Sequence, residues 1–425
     1  MRYKLFVGCL LVLLAGCNTQ SESHISKTKP FVSAPCDIGV YGTPESFIAI
    51  TRREDNFSFS FSDGQRGKLE NDTNIECGED VIRIDGRELF QKRPIKITDT
   101  EFYSGDVKLV GQLLEPLEAN SDTPLIVLAH GSEELGWIEA VSYPYQFVGR
   151  DISVFVYDKR GTGRSEGAYS QNFPELADDL VAASEQAKRL AESNYGRFGL
   201  FGFSQGGWIV PLAAERAKAE FIGIGYGLLV DILEEDAAQV EMELREAGYG
   251  DEVIAKAKQI TDVTARLAVS GHSDGLEDLD ALRGRYKEEV WYSIIRGGFT
   301  GVILGMSTNE LRTKGIPMFD RLKIDWSVKP MDVLQNIDVP QLWVLAENDR
   351  EAPVSKTLDR LETIRREGKD ITIYMFPETD HGMWEYEQDP DGNRVTTRVT
   401  NRYYDLLADW AKGELKPPYA ASQEK

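Results

Sequence analysis

Four short apolar runs constrain this chain more than any other feature: "LIVLA" (Leu125–Ala129), "SVFVY" (Ser153–Tyr157), "FGLFG" (Phe198–Gly202) and "FIGIGY" (Phe221–Tyr226). Each is apolar at nearly every position, so neither face of the strand it forms can meet water. Between the second and third, "PELADDLVAASEQAKRLAES" places Leu176, Leu180, Ala183, Ala187 and Leu190 on one helical face, with Pro174 near the helix start. Doubly buried strands that alternate with helices call for a parallel sheet covered on both sides. Strand signals return in "PQLWVLAE" and "ITIYMF", and helical ones in "KTLDRLETIRREG" and "VTNRYYDLLADWAKG". The expected class is α/β, with a mostly parallel central sheet flanked by helices.

Two segments depart from that rhythm. Between about Leu228 and Lys323 the strand signal disappears, and two helical stretches end on Gly248 and Gly271. A helical cap insertion, 228–323, is therefore expected to divide the α/β domain into 96–227 and 324–415. Residues 34–95 read as a small β-rich domain instead. "NFSFSFSDG" alternates Phe57, Phe59 and Phe61 with serines, and "VIRIDGREL" turns on Asp85 and Gly86. "IKITDTEFYSGDVKLVGQLLEP" then reads as a strand pair that opens the larger sheet.

The start of the chain, "MRYKLFVGCLLVLLAGC", has basic Arg2 and Lys4 followed by an apolar run too short to remain as a membrane span. Its end, "LLAGC", resembles a bacterial lipobox. That resemblance implies a signal peptide over 1–16, lipidation of Cys17, a polar tether over 17–33 with an incidental His24, and anchorage in the cell envelope, at the outer membrane facing the periplasm. In an oxidising compartment the remaining pair, Cys36 and Cys77, is expected to form a disulfide. It would close a loop of about 40 residues, worth up to roughly 4 kcal/mol. Neither cysteine has a histidine nearby, no zinc spacing or phosphate loop occurs, and no metal or cofactor is expected. A formal charge of −22 disfavours nucleic acid as a partner.

Two pentapeptides, "GRSEG" around Ser165 and "GFSQG" around Ser204, share the G-x-S-x-G spelling of a nucleophilic serine. Such a serine needs a strand running into it and a helix leaving it, so that the turn lifts the hydroxyl above the sheet. Ser204 has "RFGLFG" before it and "GWIVPLAAERAKA" after it. Ser165 follows the glycine-punctuated loop "DKRGTGR" and reads as a structural turn. A serine nucleophile also needs a base and an orienting carboxylate, in the chain order serine, acid, histidine. Of four histidines, His24 and His130 precede Ser204, and His272 in "GHSDG" reads as a solvated loop residue within the insertion. His381, just beyond the strand "ITIYMF", is left. The preceding strand ends in "AENDREAPV", which offers Glu347, Asp349 and Glu351; Asp349 is preferred, then Glu347. Asp380 is too close to His381 in sequence to grip its far ring nitrogen.

Together "LAHGS", "YDKRGTGRSEG", "GFSQGG", "AENDREAPV" and "DHG" resemble the α/β-hydrolase superfamily over roughly 98–413, apart from the insertion. The resemblance implies Ser204 as nucleophile, His381 as base and Asp349 as acid. It also implies an oxyanion hole from the backbone N–H groups of Gln205 and Ser132, with Glu133 an alternative to Ser132. Ala346 stands where many relatives have glycine. His130 is expected to brace its loop. The chemistry would be acyl transfer from a small-molecule ester or short peptide to water. Uncharged carboxylic esters are the leading expectation, a peptidase of the aminopeptidase kind the alternative, and an inactive tethered binding lipoprotein the third reading. Trp137, Trp208 and Trp384 are candidates to line the substrate pocket, or equally to pack the core.

Overall fold

The computed structural model describes residues 31–71 and 74–425. The signal segment 1–16, Cys17 and His24 lie outside them, as does most of the 17–33 tether.

Two small antiparallel sheets come first. β1 (Gly39–Thr43), β2 (Ser46–Arg53), β3 (Asn56–Phe61) and β4 (Arg66–Lys68) pair in that order, and β5 (Ile75–Gly78), β6 (Val81–Ile84) and β7 (Glu88–Gln91) form the second sheet. Asp85 and Gly86, at φ 51° and 68°, make the tight turn between β6 and β7. A disulfide joins Cys36 to Cys77 with their Cα atoms 5.1 Å apart, tying the entry of β1 to β5. The serines of β3 do not form a solvent face. Ser60 is buried, and its hydroxyl accepts from Gln146 Nε2 at 3.0 Å. The alternation is covered on both sides because this sheet packs on the larger domain, with Val40, Phe47 and Ala49 in one core with Tyr145 and Phe147.

The large sheet begins with the antiparallel pair β8 (Ile95–Ser104) and β9 (Val107–Pro116). Five parallel neighbours of the expected sequence follow: β10 (Leu125–Ala129), β11 (Ser153–Tyr157), β12 (Phe198–Phe203), β13 (Phe221–Gly225) and β14 (Gln341–Ala346), with β15 (Ile371–Phe376) beyond. Next in the chain, β16 (Thr379–Asp380), β17 (Trp384–Gln388) and β18 (Arg394–Val399) make a separate small sheet, and β19 (Gln423–Glu424) returns to the large one. The order is β19-β15-β14-β13-β12-β10-β11-β9-β8. From β10 the chain steps outward to β11, then back across to β12. That reversal opens a crevice beyond the carboxyl ends of β10 and β12, where ligands of such sheets bind.

Alternate residues of β10 feed opposite cores, as doubly buried strands must. Leu125, Val127 and Ala129 meet α2 (Phe173–Leu190) and α3 (Gly206–Ala213), while Ile126 and Leu128 meet α1 (Tyr143–Val148) and residues of the last helix. The insertion between β13 and β14 holds α4 (Ile232–Glu246), α5 (Asp251–Val269), α6 (Leu276–Tyr286) and the shorter α7 (Thr300–Leu304), α8 (Thr308–Glu310) and α9 (Ile316–Leu322). An Asp231–Glu234 capping box starts α4. After it, α10 (Pro330–Asn336) and α11 (Ser355–Arg366) join the α2–α3 side, and α12 (Tyr403–Lys412) closes the other. His272 corrects one expectation. It is buried in the cap with its ring 5.6 Å from Phe319, because its φ of 64° folds the loop back until its N–H reaches Leu267 O at 2.7 Å. Burial pushes its imidazole below the usual pKa. Among the described residues, no helix is long and apolar enough to cross a membrane.

Candidate active site

β12 runs through the middle of the sheet and stops at Phe203. Ser204 takes a left-handed φ of 53°, a conformation that costs a non-glycine residue about 1–3 kcal/mol, and α3 leaves at Gly206. The bend is tight enough to exclude side chains: a Cβ on Gly202 would lie 2.5 Å from Gly206 O. Ser204 is thus held by its own N–H, which donates to Gly225 O at 3.1 Å, with its hydroxyl clear of the sheet.

His381 follows β16, and Asp349 follows β14. The His381 Nε2–Ser204 Oγ distance is 2.9 Å, and His381 Nδ1 lies 2.9 and 3.1 Å from the two oxygens of Asp349. Asp349 is buried, and its Oδ1 also accepts from the N–H groups of Glu351 (3.0 Å) and Ala352 (2.7 Å), which fix the carboxylate toward the ring. Glu347 is exposed and bonds the Glu378 N–H instead, at 3.4 Å. Asp380 is occupied elsewhere, accepting from Arg350 N–H at 3.0 Å and from Arg394 at 2.6 Å. Ser165 stands apart. Its hydroxyl donates to Asp158 O and accepts from the Val110 N–H at 2.9 Å, pinning a loop to β9.

The loop after β10 comes alongside. A Cβ on Gly131 would sit 3.6 Å from Ser204 Cβ, and Lys159 Nζ donates to Gly131 O at 2.7 Å, while Tyr169 OH donates to Ser132 O. His130 is buried, stacked on Trp137 at 4.3 Å, and its Nε2 meets Tyr157 O. Burial, and then Lys159, push its imidazole well below the usual value, so it stays neutral. Ser132, on the loop after β10, and Gln205, at the start of α3, line the same cavity as Ser204.

Residues 121–224, a stretch that holds β10 to β12, the Ser204 bend and all but the last residue of β13, match a family model described as serine aminopeptidase, S33. The quorum-quenching protein AidA of Acinetobacter baumannii is 32% identical over 111 residues, which are 26% of this chain and 36% of that protein. The chain thus matches little more than a third of that relative's length. Among solved structures, an esterase of Pyrococcus furiosus aligns with a TM-score of 0.43 at 15% identity, over 68% of this chain and 84% of that one. An acylaminoacyl peptidase of Pyrococcus horikoshii aligns at 0.42 and 14%, over 82% and 46%. The matched family segment and the strand order agree on one fold. The chain has the α/β-hydrolase fold.

In this fold the crevice has two lobes that meet at Ser204 and His381. The first, about 450 Å³, lies under the N-terminal sheet and takes Phe59, Ser60 and Arg66 from it, with Trp137 and Trp384 on the hydrolase side. The second, about 270 Å³, lies under the cap, between Trp208, Phe319 and Trp326. All three candidate tryptophans line a lobe, although Trp208 also anchors the core by donating to Val230 O at 2.7 Å.

Carboxylates surround the imidazole. Glu351 Oε2 is 3.5 Å from His381 Nε2, and Glu235 of α4 lines the cap lobe. Burial depresses the His381 pKa, but Asp349, Glu351 and Glu235 outweigh it and hold the ring up at about 9. Burial and neighbouring carboxylates push Glu235 up to about 8. The adjacent Asp236 instead ties cap residues together, accepting from Phe299 N–H (2.8 Å) and Thr300 N–H (3.0 Å).

Sequence reasoning weighed Glu351 only as an orienting acid, whereas it stands at the opposite ring nitrogen. It missed Glu235, Lys159 and Arg66. "YDKRG" placed Lys159 beside a core strand, so its inward turn was within reach. Nothing near Glu235 or Arg66 in the chain marks either for the crevice. Among the described residues, no cluster suited to a metal ion occurs.

Proposed function

We propose that the chain is a serine hydrolase that cleaves carboxylic esters, with Ser204 as nucleophile, His381 as base and Asp349 as orienting acid. The observation that carries this reading is the unbroken line from Ser204 Oγ through His381 to buried Asp349, each step 2.9 Å at its shortest. As Ser204 attacks the carbonyl, Nε2 takes its proton, and Asp349 stabilises the imidazolium without leaving its two backbone donors. The oxyanion forms between the Gln205 and Ser132 N–H groups, a setting in which one donor is typically worth about 10²- to 10³-fold in rate. The imidazolium protonates the departing alcohol, and the same base then activates water against the acyl-enzyme.

Glu235 favours a second reading, a peptidase acting at a free amino end. It makes no side-chain hydrogen bond or ion pair among the described residues and lines the cap lobe, so it could ionise against an ammonium group. The matched aminopeptidase model ends before the cap, at residue 224. Turnover of para-nitrophenyl esters of increasing acyl length, compared with aminoacyl para-nitroanilides, separates the two. Ester turnover that disappears in Ser204→Ala is expected. Preference for the amides, lost in Glu235→Gln, would favour the peptidase. Absence of any turnover would favour the tethered binding protein. The envelope location and Cys17 anchor belong to the same proposal. Radiolabelled palmitate should enter the chain in a bacterial host and should not enter Cys17→Ser.

A further inference from the structure

Among the described residues, the lobe beneath the N-terminal sheet is lined by one cation, Arg66. Arg66 opens β4, two residues after Gly64, where that sheet is fastened to the hydrolase domain. Val399 N–H donates to Gly64 O at 3.1 Å, and Arg398 donates to Asp63 O. The contact requires glycine, since at φ +97° a Cβ there would lie 2.1 Å from Val399 O. Val399 pairs with Trp384 across β17 and β18, and Trp384 is three residues beyond His381. The fastening therefore delivers Arg66 to the crevice wall, its guanidinium carbon 4.2 Å from the centre of the Trp384 ring.

Three features distinguish Arg66 from an ordinary surface arginine. Among the described residues, it is the only Lys or Arg that lines the lobe with Ser204 and His381. It forms no hydrogen bond or ion pair among the described residues, although the chain carries a surplus of acids. Its guanidinium carbon lies over the Trp384 ring while its N–H groups bond no side chain among the described residues, and such a group can pair with a carboxylate two bonds at a time.

We propose that Arg66 binds a carboxylate carried by the substrate, so that the N-terminal β domain reads one end of the molecule that Ser204 cleaves. This deepens the serine-hydrolase reading and rests on it, while replacing the expectation of an uncharged ester. A singly charged carboxylate fits better than a phosphate dianion. Glu133 and Glu351 line the same lobe and would repel the second charge. The chain's net charge of −22 repels anions at a distance, so recognition must come from this short-range contact.

The test uses two matched ester pairs: mono-para-nitrophenyl succinate against its methyl ester, and para-acetoxybenzoate against its methyl ester. They place the carboxylate on the acyl and on the alcohol side. In one pair, kcat/KM for the acid should exceed that for the neutral ester by about tenfold, the range of a hydrogen-bonded charge contact. The ratio should fall to near unity in Arg66→Gln, invert in Arg66→Glu, and survive in part in Arg66→Lys. It should also shrink in about 0.5 M salt. Equal rates within both pairs, or a ratio that Arg66→Gln leaves unchanged, would overturn the proposal. Calorimetric binding of the same pairs to Ser204→Ala, with and without Arg66→Gln, reads the contact without turnover. Turnover that survives Ser204→Ala would sink the underlying hydrolase reading, and the binding comparison would still decide the role of Arg66.

Discussion

Replacing Glu351 with glutamine tests the electrostatics of the site through a single charge. Its Oε2 lies 3.5 Å from His381 Nε2, but its side chain is 74% exposed, so a water-like dielectric applies. Two unit charges at that distance then interact by about 1 kcal/mol, which is slightly less than one pH unit of pKa. Removing the carboxylate makes the imidazole easier to deprotonate. In the wild type, kcat/KM should climb with pH as His381 loses its proton near pH 9. In Glu351→Gln the same limb should move to lower pH by up to about one unit. Stability should follow with a definite sign. Because folding raises the His381 pKa, its contribution is full below the unfolded value, near 6.5, and is lost as pH rises through about 9. The melting-temperature gap between wild type and variant should therefore narrow above that pH. The assay is kcat/KM on a neutral aryl ester from about pH 5 to about pH 10, with scanning calorimetry alongside. A limb that stays in place, or moves upward, refutes the argument.

Other expected outcomes follow from single contacts. Lys159→Met removes the bond to Gly131 O and should lower kcat by about tenfold or more with little change in KM, since the oxyanion loop loses its anchor. Ser165→Ala should retain activity and lose about 1 kcal/mol of stability in thermal unfolding, because its hydroxyl only joins Asp158 O to the Val110 N–H. Gly64→Ala should loosen the N-terminal sheet, seen as faster proteolysis ahead of β8. Reduction of the Cys36–Cys77 bridge, which spans 41 residues, should lower stability by up to about 4 kcal/mol and lower the unfolding temperature.

Much of the scaffold was legible because burial on both faces leaves a strong mark. The runs that became β10 to β15 are apolar at nearly every position, and the helices between them show one-sided periodicity. Ser204, Asp349 and His381 could be singled out because each follows a strand at its carboxyl end. The β17–β18 hairpin was missed although Trp384 and Tyr386 alternate with glutamates and Asp391-Gly392 marks a turn, and the helical stretch beyond it was read too early, from Val399. His272 was misread because a loop of small and polar residues gives no sign that it folds inward. The two lobes depend on docking. Arg66 and Glu235 reach the crevice through contacts between segments separated by well over 100 residues, and no local pattern encodes such contacts.

The most direct measurement is the site of covalent capture. A fluorophosphonate probe, followed by peptide mass spectrometry, should place one adduct on the peptide containing Ser204 and none on that containing Ser165, with no adduct in Ser204→Ala. An adduct on any other residue, or labelling that persists in Ser204→Ala, would contradict the account.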